Sequence, residues 1–354
     1  MPLLQLPPEI LSQVMALVGS SYFQQDPERL IISKRWFIFA RAACFDELRL
    51  TRGSLRRLLS SRYAGESLPL ISMHLESLDI DLEVVLSEAE AAAPRTGPRL
   101  YPLPDVSEGE LSKEEDRLVQ AQLRAREAFN DDLARFAPVA SSSRKLRTLR
   151  VQGAGRCSEW LRRCAYVPPA PIWDLLSAQN LTVLDLDLFG AFLEERPGTE
   201  HRRKYHVCTA IGALLTQLTR LRLRMYNICT EALRPHTSDD GLRLSEVVVN
   251  LAMYNGAPSR TLASHALPCV SGGIFKLGAD MRAQAAALAA RMECPKTVRV
   301  LTYGLPHFKV QATDILTGKK TILEDGMDWE DDGEIEVENI GPVLVPEPEV
   351  ANQP

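Results

Sequence analysis

Apolar positions along this chain follow two successive rules, first a helical one and then a strand one. Ile10, Leu11, Val14, Leu17 and Val18 recur at spacings of three and four, which predicts an amphipathic helix. Pro7 and Pro8 suit its first turn, where a missing N–H costs nothing, and Glu9 favours the positive end. Gly19-Ser20-Ser21 stops it. Asp26-Pro27-Glu28 predicts the cap and first turn of a second helix carrying Leu30, Ile31 and Ile32. Trp36, Phe37, Phe39, Ala40 and Ala43 extend the apolar pattern into a third.

Beyond residue 44 the pattern becomes LxxLxL. It occurs at Leu75–Leu82, Leu146–Val151, Leu181–Leu188 and Leu218–Leu223, with β-branched substitutes at Leu244–Leu251 and a degenerate first copy at Phe45–Leu50. Successive starts lie 30, 71, 35, 37 and 26 residues apart. Irregular repetition of one strand-forming unit predicts a curved parallel sheet with a helix behind each strand, as in leucine-rich repeats. A parallel α/β sheet that is not a solenoid satisfies the same pattern. Helices are expected at 172–178, 207–215 and 280–292. The long gap holds a flexible linker, 87–113, and an inserted helix, 114–136, with Leu118, Ala125, Phe129, Leu133 and Phe136 on one face. Phe308–Asp314 and Lys320–Leu323 flank Thr317-Gly318 and predict a hairpin.

In each LxxLxL strand the leucines face the core, and the residues between them face the other way. Down the stack these are Arg49; Asp79 and Asp81; Arg150 and Gln152; Asp185 and Asp187; Arg222 and Arg224; Val248 and Asn250. Charge sign alternates from strand to strand, predicting a ladder of cross-strand ion pairs. Paired charges have little spare capacity for a ligand, so the end of the ladder, Arg222, Arg224 and Asn250, is the candidate binding surface.

Composition changes the picture in two places. The net charge of −5 hides a segregation: from Thr321 onward there is no Lys or Arg but eleven acids. The rest of the chain carries 41 basic against 35 acidic residues, a net of +6. Residues 324–354 are therefore expected to form a mostly disordered acidic tail. Seven cysteines without CxxC pairs read as reduced thiols in a cytoplasmic or nuclear protein. Neither a signal peptide nor a membrane span is supported.

The amino-terminal pattern resembles the F-box, the docking module of Skp–cullin–RING ubiquitin ligase adaptors. The resemblance covers roughly residues 5–50 and implies that Leu6, Pro7, Ile10, Leu11, Leu30, Ile32, Ser33 and Trp36 face a Skp-family adaptor. Gly19 to Gln25 departs from it, being longer than the usual proline-containing turn. The alternative is a helical cap whose apolar residues lie in the chain's own core. The body is similar to that of filamentous-fungal F-box proteins at His206–Leu215, Leu221–Cys229, Val249-Asn250-Leu251 and Leu316–Lys319 with Trp329.

Catalytic and metal signals are weak. Thr317-Gly318-Lys319-Lys320-Thr321 lacks the upstream glycine of a phosphate loop. His201, His206 and Cys208 have no second pair at ligand spacing and read as packing residues. Asp328-x-Glu330-x-Asp332-Gly333 begins like a calcium loop, but its twelfth position is Asn339. The runs Arg144-Lys145-Arg147 and Arg202-Arg203-Lys204 lack the interleaved aromatics of a nucleic-acid surface.

The sequence thus predicts an α/β protein: an F-box helical domain at 1–50, a leucine-rich-repeat-like body at 51–323 with a carboxy-terminal hairpin, and an acidic tail. The function the resemblance implies is non-enzymatic: a ligase adaptor binding Skp, through it a cullin–RING ligase, and an unidentified protein client. No cofactor, metal, nucleic acid or membrane is expected. An interaction scaffold outside any ligase is the alternative, and an enzyme hidden in the body would need a deep pocket with convergent titratable groups.

Overall fold

The computed structural model describes residues 5–82, 113–153, 166–189, 192–193, 206–237, 241–253, 261–262, 264–265, 274–304, 309–324 and 327–335. The protein is mixed α/β, with nine helices and a ten-stranded sheet among the described residues.

The chain opens with α1 (Pro8–Val18), α2 (Ser20–Gln25), a 3-10 turn (Pro27–Leu30) and α3 (Lys34–Cys44). Gly19 ends α1 with φ 83°, a left-handed conformation that favours glycine, and its N–H reaches Met15 O at 3.0 Å. The stretch expected to be a long linker is thus a helix, α2, whose Phe23 is buried. Asp26 caps the 3-10 turn, accepting from Glu28 N at 3.0 Å. Ile31 and Ile32 lie between that turn and α3 and not on a second helix. Met15, Phe23, Trp36, Ala40 and Ala43 form a small core of their own, separate from the main one.

The main sheet contains β1 (Glu47–Thr51), β2 (Ser77–Asp81), β3 (Thr148–Gln152), β4 (Val183–Asp187), β5 (Arg220–Arg224), β6 (Glu246–Asn250), β7 (Thr297–Gly304), β8 (Lys309–Asp314), β9 (Lys320–Leu323) and β10 (Glu334–Ile335). Neighbours follow chain order from one edge to the other. Strands β1 to β7 are parallel, and β7 to β10 antiparallel. Strict chain order has no switch point, unlike a doubly wound sheet, where ligands bind at the reversal.

Every LxxLxL segment supplies one parallel strand, the degenerate copy included. Period-two alternation sends Leu78, Ile80, Leu149, Val151, Leu184, Leu186, Leu221 and Leu223 into one continuous core, each almost fully buried. Six helices take part in the body: α4 (Arg52–Ser60), α5 (Ala64–His74), α6 (Lys113–Ser141), α7 (Pro169–Leu176), α8 (Val207–Leu214) and α9 (Ile274–Ala289). Contacts run from α4 and α5 to α6, then α7, then α8, then a 3-10 turn (Thr230–Leu233), then α9. Three of these match the expected repeat helices, shifted at their ends, and α6 outlasts the expected 114–136 by five residues despite Pro138. Two helices are additional to the expected ones: α4, whose Leu55, Leu58 and Leu59 recur at spacings of three and four among its arginines, and α5, interrupted by Pro69. The expected linker lies outside the described residues up to position 112.

The acidic tail needs correcting. Its first part is built into the fold: β10 pairs with β9, and Trp329 is buried against Val248, Leu301, Ala312 and Leu323. Acidity predicted solvation, but one indole with an apolar seat outweighs several acids whose partners are arginines. Residues 336–354 of the expected tail lie outside the described residues.

Candidate functional site

The sheet face opposite the helices carries the charge ladder, in register. Arg49, Asp79, Arg150, Asp185 and Arg222 are direct Cα partners on successive strands. A second row runs Thr51, Asp81, Gln152, Asp187, Arg224. Arg224 binds Asp187 through two nitrogens, Nε–Oδ1 at 2.7 Å and Nη2–Oδ2 at 2.5 Å. Looser pairs join Arg49 to Asp79 and Arg222 to Asp185, both at 3.9 Å. Burial pushes the Asp185 carboxyl above its ordinary value against the pull of Arg222. Burial likewise raises Asp79, opposed by Arg49 and Arg150.

A strap formed by Met327–Asp332 closes over one end of this face. Arg222 pairs with Asp328 at 2.9 Å and Glu330 at 3.2 Å, and Arg220 also pairs with Glu330. Arg299 donates to Glu330 O at 2.8 Å and Asp331 O at 3.0 Å, and it pairs with Asp332 at 3.2 Å. Trp329 lies against both Arg222 and Arg224, whose guanidinium carbons stand 4.9 and 4.5 Å from its ring centroid. The other aromatic neighbour of Arg224 is Phe189, at 4.7 Å. The sequence that begins like a calcium loop therefore spends its acids on arginines.

This narrows the candidate client surface, of which Arg222 lines both remaining clefts and Arg224 one. Arg222 and Arg224 are already engaged by the chain's own strap. Asn250 is only 4% exposed, and its Oδ1 accepts from Ala252 N at 2.9 Å, closing a local turn. It is covered because β6 lies between the helices on one side and the Trp329 cluster on the other. The part of the face left open is nearer the amino terminus. A depression of about 220 Å³ there is lined by Asp79, Arg150, Gln152, Val183, Asp185, Arg220 and Arg222. Arg150 is exposed, and Asp79 Oδ1 is buried with no hydrogen-bond partner. A neighbouring cleft of about 380 Å³ has the strap residues Met327, Asp328 and Trp329 as one wall. These walls offer guanidinia, carboxylates and an amide, a surface suited to polar peptide groups.

The eight amino-terminal candidates divide into three groups. Pro7, Ile10 and Ile32 are exposed; Leu6, Leu30 and Ser33 are half-buried. Leu11 and Trp36 are buried in the chain's own core, which corrects their assignment to a partner. Trp36 is 9% exposed, meets Phe23 edge-on with ring centroids 6.2 Å apart, and donates from Nε1 to Arg29 O at 2.6 Å. Ser33 caps α3, accepting from Trp36 N at 3.1 Å. Helical spacing could not tell which apolar residues the short α2 would cover.

Exposed apolar side chains that the motif did not nominate stand in the same unit. Leu17 is 87% exposed, Ile31 71% and Ile38 66%, beside Ile32 at 63%. Their signal was present in the sequence: Leu17 lies seven residues after Ile10, on the same stripe of α1.

The structure also joins His206 and Cys208 to a residue outside the sequence argument, Cys229. His201 and the Arg202-Arg203-Lys204 run lie outside the described residues. No helix among the described residues is long and apolar enough to cross a membrane. Neither the protein-family models nor the curated proteins match this chain.

Proposed function

We propose that this protein is the client-recruiting adaptor of a Skp–cullin–F-box ubiquitin ligase. In this reading residues 8–44 dock a Skp-family adaptor, and the repeat body presents the open polar face to a protein client. The protein makes and breaks no covalent bond; it supplies proximity between client and conjugating enzyme.

The observation that supports this is the solvent exposure of Ile10, Leu17, Ile31, Ile32 and Ile38 within one small helical unit. Such a unit buries little surface alone, and this many exposed large aliphatics are the usual mark of a partner's contact. Each is worth about 1.5–3 kcal/mol if fully buried in a groove. For the client, the supporting features are Arg150, Gln152 and the spare acceptor on Asp79 at the open depression.

Co-purification of the full chain with a Skp-family adaptor and its cullin tests the reading. A stable complex that is lost when Leu17 and Ile32 are both changed to Asp is expected. Absence of a complex with the wild-type chain overturns the adaptor role. Adaptor binding without cullin recovery favours an interaction scaffold outside the ligase.

A further inference from the structure

We infer that His206, Cys208 and Cys229 form a binding site for a soft divalent transition metal of the zinc class. One ligand atom from each residue lies within 4.8 Å of the other two, with His206 Nε2 and Cys229 Sγ 3.4 Å apart. Zinc bonds of about 2.3 Å to sulfur and 2.0–2.1 Å to nitrogen, held tetrahedrally, separate such a pair by about 3.5 Å. Two thiolates and one imidazole are the ligand chemistry that zinc prefers over hard cations.

The cluster is assembled by backbone packing. His206 is the N-cap residue of α8 and Cys208 lies in its first turn, so the start of one helix holds both. Cys229 immediately precedes the 3-10 turn Thr230–Leu233. That turn rides directly on α8 at Gly212: a Cβ there would lie 2.5 Å from Glu231 O and 2.7 Å from Arg234 O. The absent side chain is what lets Cys229 approach Cys208 and His206. Both cysteines are buried, whereas His206 is half-buried, so the histidine is the ligand that solvent reaches. A thiol–imidazole hydrogen bond explains the 3.4 Å distance equally well, and the experiment separates the two.

The full chain, stripped of metal by chelation and kept reduced, is titrated with Co²⁺. Binding of one equivalent is expected, with thiolate-to-cobalt charge-transfer and four-coordinate ligand-field bands that Zn²⁺ abolishes. Cys208→Ser and His206→Gln should each weaken binding at least about tenfold, and Cys294→Ser should leave it unchanged. His206→Gln alters a half-exposed side chain, so a folded variant remains available if the cysteine exchange misfolds. Absence of the bands in wild type, or their persistence at full strength in Cys208→Ser and His206→Gln, overturns the site.

Discussion

Arg224 and Asp187, direct partners on adjacent parallel strands, meet through two hydrogen bonds of 2.7 and 2.5 Å, with Trp329 and Phe189 both against the guanidinium. The rings shield a pair that would be worth little on an open surface, leaving its side chains 21% and 20% exposed. A double-mutant cycle with Arg224→Ala and Asp187→Ala should therefore give a coupling of about 1–2 kcal/mol by chemical denaturation. The same cycle on Arg49 and Asp79, 3.9 Å apart with Arg49 mostly exposed, should give less than about 0.5 kcal/mol. Equal couplings would show that the aromatic cover contributes nothing.

The strap is held chiefly by its indole. Trp329→Ala should destabilise the chain by about 3–5 kcal/mol, because it removes the side chain that seals Val248, Leu301 and Leu323. Asp328→Asn should cost less than about 1 kcal/mol, since Arg222 keeps Glu330 and Asp185. Denaturant titration of both variants checks the ranking; the reverse order would make the ion pairs the main fastening.

Exposed and buried apolar residues of the amino-terminal unit should behave oppositely. Leu17→Ser should change stability by no more than about 0.5 kcal/mol, whereas Leu11→Ala should cost about 2–5 kcal/mol. Thermal melts of the two full-length variants are the measurement. A large loss from Leu17→Ser would mean that its side chain already has a seat.

Stability should carry an acid-range signature from Asp46. Burial pushes its carboxyl from 3.8 up to about 6, with Glu76 adding to the shift. Between pH about 4 and 6 the unfolded chain has released a proton that the folded chain still holds, so stability falls as pH rises through that window. Asp46→Asn should flatten this decline and raise stability at pH 7 by about 1 kcal/mol, allowing for solvent screening. Denaturation at pH 4 and pH 7 reads the difference; an unchanged slope would remove Asp46 as its source.

Gly212 tests how α8 meets the turn after Cys229. Gly212→Ala places a methyl against two backbone carbonyls that cannot rotate away, and should cost about 1–3 kcal/mol. A thermal melt unchanged from wild type would mean that the two elements can separate freely.

Sequence and structure agree most closely where periodicity speaks. The LxxLxL segments gave both the parallel strands and the alternating register of Arg49, Asp79, Arg150, Asp185 and Arg222, because a strand's period of two assigns every side chain to a face. Helix α5 was hidden by Pro69, a residue that usually ends helices. Trp36 was misassigned because a stripe marks which residues seek cover but not what covers them. Cys229 joined His206 and Cys208 only through the packing of its turn on α8, which no linear spacing encodes.

Local pattern by itself determined the strands, their inward and outward faces and the small helical unit at the amino end, since these follow from side-chain period and backbone propensity. Tertiary structure alone decided that the acidic segment returns to seat Trp329 over Arg222 and Arg224, that Asn250 is enclosed, and that Leu17 and Ile31 stay in water. Those outcomes depend on which surfaces meet across more than a hundred residues of chain, where burying one indole outweighs the solvation of its acidic neighbours.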